Sequence, residues 1–392
     1  MEKNMNEQVT RAMFSLIRHV VCGAELTEKD KAGLTPELLP RLYALSKSHD
    51  MAHIVAQGLS DLGLLGEDDI SQKFQKQQML AVYRYQKLNY ELEQICQTLE
   101  NAKIPFIPLK GSVIRQYYPE PWMRTSCDID VLVHEEELDR AVALFEEKGY
   151  KSDPKSSHDV SLYSAGGIHI ELHYETVEEG RAVDANAILS KIWENSAPQS
   201  IRSVHMMLTD EMFYFYHIAH MAKHFENGGC GIRPFLDLWI LEHRVEHDDT
   251  TRNTLLEQGE LLTFANAGRR LSAVWFDDAK HDKMTEQMQS YILFGGVYGT
   301  LDNRVAVQQN KRGGKIRYAL SRIFIPYDTI KFHYPILVKH RWLTPIMEVR
   351  RWFKLLFQGK VKSSLHELNV NRTMSQEQVA GTADLLQKLG LD

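Results

Sequence analysis

The hydrophobic period of the chain changes between residues 104 and 176, and that change constrains the fold more than any other feature. Upstream, Phe74, Leu80, Tyr83, Leu88, Leu92, Ile95 and Leu99 recur at helical spacing and predict one helix from an N-cap at Ser71 to about Ala102. After Lys103 the pattern breaks into short pieces. IPFIPL is an apolar run bounded by prolines, and Gly111-Ser112 then turns the chain into VIRQYY. In DIDVLV, Ile129, Val131 and Val133 alternate with Asp128, Asp130 and Leu132, as in a half-buried strand. EEELDRAVALFEEKGY reads as an amphipathic helix stopped at Gly149, and VSLYS and IHIELHYE flank Ala165-Gly166-Gly167 as a hairpin. Helical spacing returns from Ala185, in TDEMFYFYHIAHMAKHF, FLDLWILEHRVEH and a last helix from about Ser375.

The expected class is therefore α+β, with a small mixed-sheet core embedded between predominantly helical N- and C-terminal regions. The expected organisation is a helical region over 1–103, the core over 104–180, a helical domain over 181–310 and a basic, aromatic-rich segment over 311–392. A length of 392 residues suits two or three such modules. No run approaches the roughly 18 apolar residues of a spanning helix, and the N-terminus lacks a secretory pattern, so a cytoplasmic protein is expected. Cys22, Cys96, Cys127 and Cys230 are scattered without a metal or disulfide spacing, and are expected as reduced thiols buried in packing.

Chemistry enters through the acids. Asp128 and Asp130 lie two apart in a strand, so both carboxylates share one face and can share a cation. The strand is otherwise apolar, and adjacent acids there repel unless a metal neutralises them. The same parity rule sends Ile168, Ile170, Leu172 and Tyr174 one way and His169, Glu171, His173 and Glu175 the other. Glu171 can then face Asp128 and Asp130, Glu175 is expected to be solvated at the strand end, and His169 and His173 read as polar neighbours rather than ligands of a hard cation. On crowding alone, Asp130→Asn is expected to preserve or slightly raise stability. Upstream, the Gly111-Ser112 turn and the helix start after it offer backbone N–H groups to a phosphate. Taken in order, the parts make a triphosphate cradle followed by a carboxylate site for two metal ions.

The run PFIPLKGSVIRQYYPEPWMRTSCDIDVLVH resembles the polymerase beta-type nucleotidyltransferase superfamily, whose signature is Gly-Ser, Asp-x-Asp and a separate strand carboxylate. More narrowly, Leu109-Lys110-Gly111, Arg124, Asp128 to Val133 and Glu171-Leu172-His173-Tyr174 are similar to a bacterial family of uncharacterised nucleotidyltransferases. The helical pieces HIAHMAKHF, RPFLDLWIL and IPYDTIKFHYPILVKHRWLTPIMEVRRWF extend the resemblance over about residues 100 to 355. It implies a polymerase beta-like core that moves a nucleoside monophosphate from an NTP to a hydroxyl acceptor. Asp128, Asp130 and Glu171 would be the catalytic carboxylates holding two Mg²⁺ ions, with Lys110, Gly111, Ser112 and Arg124 binding the nucleotide. The alternative is a nucleotidyltransferase-like protein that holds NTP or a partner without turnover. Two positions depart from the superfamily pattern: Lys110 stands where Gly is common, and Glu171 where Asp is frequent.

Other features carry less. His217, His220 and His224 form one helical stripe without a carboxylate of its own, and read as a polar, partly buried stripe that Asp237 on the next helix can meet. The His-Asp dipeptides at 49, 158, 247 and 281 lack the neighbouring ligands of a phosphohydrolase site. The net charge is −6, yet residues 311–362 hold 13 Lys or Arg against Asp328 and Glu348. That basic stretch interleaves nine aromatics with its cations. It suits single-stranded nucleic acid, a membrane surface or an acidic partner, but its prolines and aromatics favour packed structure, docked on the acidic body.

Overall fold

The computed structural model describes residues 2–176, 183–293, 301–357 and 361–391. The chain divides into two compact units, one of Met1–Ala222 with Gly231–Gln289, the other of Lys223–Cys230 with Ser290–Asp392.

In the first unit the small sheet forms as the change of period requires. Its strands are β1 (Phe106–Pro108), β2 (Asp128–Val133), β3 (Lys151–Ser152), β4 (Asp159–Tyr163) and β5 (His169–His173), in the order β1-β2-β5-β4-β3. The central pair β2 and β5 is parallel and the other pairs are antiparallel, so the sheet is mixed. Ile129, Val131 and Val133 of β2 and Ile170 and Leu172 of β5 point to one face. There they meet Leu88, Ile95 and Leu99 of the helix Asp69–Ala102, and Leu138, Ala141 and Phe145 of the helix Glu135–Glu147. Two helices thus cover one face, and burial of these side chains, each worth about 1.5–3 kcal/mol, pins the register. A one-residue slip in β2 would bring its acids into that core.

Several local expectations shift. The long helix starts three residues earlier than its apolar pattern implies, because Asp68 is the N-cap and accepts from the Ile70 and Ser71 amides. Ser71 is buried and donates to Asp68 instead. A two-stranded ribbon, β6 (Ser196–Pro198) with β7 (Met206–Leu208), lies in the stretch read as helix after Ala185. These strands are too short to display a period of two. Cys127 is exposed rather than buried, since it precedes the β2–β5 pairing that begins at Asp128 and so lies beyond the core face.

The second unit builds its own core from Val305, Ala306, Tyr318 and Met374. Gly313 and Gly314 have φ of 73° and 114° and turn the chain between the helices Leu301–Arg312 and Lys315–Ile323. A capping box at Ser375 starts the last helix, Gln376–Lys388.

Candidate active site

The face of the sheet opposite the core carries the acids. In the parallel β2–β5 pair, Asp128 is the register partner of His169, and Asp130 that of Glu171. Ligand atoms of Asp128, His169 and Glu171 lie within 4.8 Å of one another, as do those of Asp130, Glu171 and His173. The three carboxylates therefore converge, as strand parity requires. His169 Nε2 meets Ser161 Oγ at 3.1 Å, and Glu175 is exposed at the strand end.

The carboxylates are electrostatically unlike. Asp130 is buried and its Oδ1 accepts from Lys110 Nζ at 2.7 Å and from His173 Nε2 at 3.0 Å. Burial alone would raise its pKa, but Lys110 and His173 outweigh burial and hold it far below the usual carboxylate range. Asp128 moves the other way: burial raises its pKa, and the neighbouring charges of Asp130 and Glu171 add to the rise. His173 Nε2 also lies 3.3 Å from Glu171 Oε2. Burial opposes charge on His173, yet its bonds to Asp130 and Glu171 more than offset this and raise its pKa. The site thus has one acid already compensated and one still short of positive charge, which is the electrostatic condition for taking up a hard cation.

The turn that leads to the site is held under strain. Lys110 has φ 49° and ψ −124°, a region that favours glycine. Its ammonium is opposed by burial, but Tyr216 and Asp130 raise its pKa overall. Lys110→Gly is expected to relieve about 1 kcal/mol of backbone strain but to leave the buried Asp130 carboxylate without its ammonium at a cost of about 2 kcal/mol, a small net loss read as a lower melting temperature. The same substitution is expected to bring the Asp130 carboxyl back toward its ordinary range, readable by NMR titration.

Buried Arg115 braces the following residue, with Nε donating to the Gly111 carbonyl at 2.6 Å and Nη2 to Ser126 Oγ at 3.0 Å. A Cβ on Gly111 would lie 3.4 Å from Arg124 Nη1 and from Ser126 Cβ, so Arg124 stands beside the turn. Ser112 and Val113 also line a cavity of about 250 Å³ with Leu92, Leu208 and Phe213.

Arg124 is engaged elsewhere as well. Its Nε donates to Asp237 Oδ1 at 2.7 Å and Oδ2 at 2.9 Å, while Tyr118 donates its hydroxyl to the same carboxylate at 2.6 Å. Burial would raise the Asp237 pKa, but Arg124 outweighs it and keeps the carboxyl ionised. The pair joins the strand-leading loop to the helix Arg233–His243, a contact 113 residues apart in sequence with no local signal.

His217 on the helix Asp210–Glu226 is half-buried and its Nε2 donates to the Pro234 carbonyl at 2.9 Å. Burial lowers its pKa, as it does for His53, whose Nε2 donates to the Met123 carbonyl at 2.8 Å. A histidine whose folded pKa lies below its unfolded value contributes stability above that value and loses it as pH falls. Unfolding free energy is therefore expected to drop below about pH 6.5, and the drop to shrink in His217→Gln, as read by urea titration across that range.

The match to known families now bears on this geometry. Residues 36–277 match the family described as uncharacterised nucleotidyltransferase. The chain belongs to that family. The matched span takes in the sheet, the Lys110–Ser112 turn, the three carboxylates and Asp237, so every residue just described lies inside it. As an α+β nucleotidyltransferase-family protein it has the small mixed sheet flanked by helices that its sequence led one to expect. No curated protein and no solved structure matches the chain.

Proposed function

We propose that the protein is a metal-dependent nucleotidyltransferase that moves a nucleoside monophosphate from an NTP to a hydroxyl acceptor. The observation that carries this reading is the convergence of Asp128, Asp130 and Glu171 on adjacent parallel strands beside the Lys110-Gly111-Ser112 turn. The donor set is hard and oxygen-rich, and burial with the charges of Asp130 and Glu171 outweighs the nearby Lys110 at Asp128, so the site fits Mg²⁺. Asp128, Asp130 and Glu171 would hold it, in two ions by the superfamily pattern. Bound there, Mg²⁺ would neutralise triphosphate charge and lower the pKa of the acceptor hydroxyl.

The chain's own residues supply the rest. The Gly111 amide and the Ser112 hydroxyl would donate to phosphate oxygens, the Ser112 amide being taken by the Leu109 carbonyl, and Lys110 and Arg124 bring two cations to the same turn. His173 holds the Asp130 carboxylate in one orientation, which limits the reorganisation needed when charge develops. Catalysis in such a site is mainly positioning and charge compensation.

The alternative, a protein that holds NTP without turnover, is supported by the Lys110 and His173 bonds to Asp130, which already satisfy one of the three acids. A thermal-shift series separates the readings. NTP with Mg²⁺ is expected to stabilise the wild type by mass action, and much less so Glu171→Gln. Stabilisation by NTP alone that Mg²⁺ does not improve would favour the holding role. No shift with any NTP would remove both.

A further inference from the structure

The second unit exposes apolar surface in an ordered pattern. On the helix Lys315–Ile323, Tyr318 turns inward to Val305, Ala306 and Met374. The opposite side presents Ile316, Leu320 and Ile323, spaced i, i+4 and i+7, with Ile316 77% exposed, and exposed Phe324 follows just past the helix end. Arg317 borders that stripe on one side and Lys315 on the other at 100° per residue.

A second stripe lies on and just before the helix Thr344–Phe357. Glu348 accepts from the Ile325 amide and Trp352 Nε1 donates to the Ile323 carbonyl, so those two residues face inward. Trp342, Ile346, Val349 and Phe353, spaced i, i+4, i+7 and i+11, are exposed, Trp342 by 72%. Arg350 and Lys354 follow along its edge. The two Glu348 and Trp352 bonds hold the helix against residues 323–325, so the stripes belong to neighbouring segments of one unit.

We propose that these stripes and their flanking cations form a peripheral docking surface for a bilayer that carries anionic phospholipids. Charge and apolarity argue for it together. Residues 311–362 carry 13 cations against two acids, and one of those acids, Glu348, is turned inward against Arg351. Two copies of so basic a face would repel, which disfavours self-association. A single-stranded nucleic acid would use exposed rings to stack its bases. Here Ile316, Leu320, Ile323, Ile346 and Val349 are aliphatic, and these have no stacking role but enter the acyl boundary of a membrane. Among the described residues no helix is long and apolar enough to cross a membrane, so the surface lies on the bilayer.

The test is flotation of the full chain with vesicles of phosphatidylcholine with and without phosphatidylglycerol. The protein is expected to float with the anionic vesicles and not the neutral ones, with a blue shift of tryptophan emission. The double variants Ile316→Glu/Leu320→Glu and Val349→Glu/Phe353→Glu alter side chains that are about half or more exposed, so their melting temperatures should change little while vesicle affinity falls by at least about tenfold. Absence of flotation with anionic vesicles overturns the proposal. So does tight single-stranded RNA binding that the glutamate variants abolish, or a dimer that those variants dissolve, without any vesicle binding.

Discussion

Asp128→Asn is expected to leave the protein at least as stable as the wild type and to abolish turnover, whereas Asp130→Asn is expected to lose both stability and turnover. The two acids sit two residues apart on one strand, yet their surroundings differ. Asp128 is held in a site where burial and the charges of Asp130 and Glu171 disfavour its ionised form. Removing that charge relieves repulsion. Asp130 compensates Lys110 at 2.7 Å and His173 at 3.0 Å, and its removal leaves a partly buried ammonium without its carboxylate. That costs about 2 kcal/mol, below the range for fully buried pairs because the Lys110 side chain retains 23% exposure. Activity should fall by about 10²–10³-fold or more in both variants. The expectation from crowding alone, that Asp130→Asn is neutral or stabilising, is thus transferred to Asp128, because Lys110 and His173 relieve the crowding at Asp130 and not at its neighbour. Urea unfolding of the two variants without metal reads the difference, and equal stabilities would contradict it.

Breaking the Arg124–Asp237 pair is expected to have the largest effect on stability. The side chains are 10% and 1% exposed, and the carboxylate also takes the Tyr118 hydroxyl. Arg124→Ala leaves Asp237 buried with no cation at bonding distance from the loop, a loss of about 3–5 kcal/mol. Arg124→Lys is expected to recover only part, since an ammonium cannot reproduce the guanidinium bonds to both carboxylate oxygens and to the Thr125 carbonyl. A midpoint for Arg124→Ala within error of the wild type would show that the pair does not fasten the loop.

The legible part of the fold follows from strand parity. Ile129, Val131 and Val133 had to share a face, and so did Ile170 and Leu172, which left Asp128, Asp130 and Glu171 on the other. Alternation within each segment says which face a side chain takes. It does not say which strands are neighbours, and the parallel β2–β5 pairing that brings Asp130 opposite Glu171 is a tertiary fact. Lys110 was visible as a departure from a Gly-rich turn, but its positive φ and its bond to Asp130 were not. Asp237 was noticed only as a possible neighbour of the histidine stripe. Its Arg124 and Tyr118 partners lie more than 100 residues away, and no period or spacing encodes such a contact. Arg115 gave no signal at all, since a buried arginine that bonds a turn carbonyl looks, in sequence, like any cation on a short helix.

The central claim is that Asp128, Asp130 and Glu171 form one catalytic carboxylate site on the face of the sheet opposite the core. Its most direct test is pyrophosphate release from NTP with Mg²⁺ and a cell extract as acceptor source, comparing the wild type with Asp128→Asn and Glu171→Gln at matched folded concentration. The expected result is release by the wild type, accompanied by a nucleotide-sized mass gain on an acceptor, and release at background by both variants. Wild-type release that either variant retains undiminished would contradict the account.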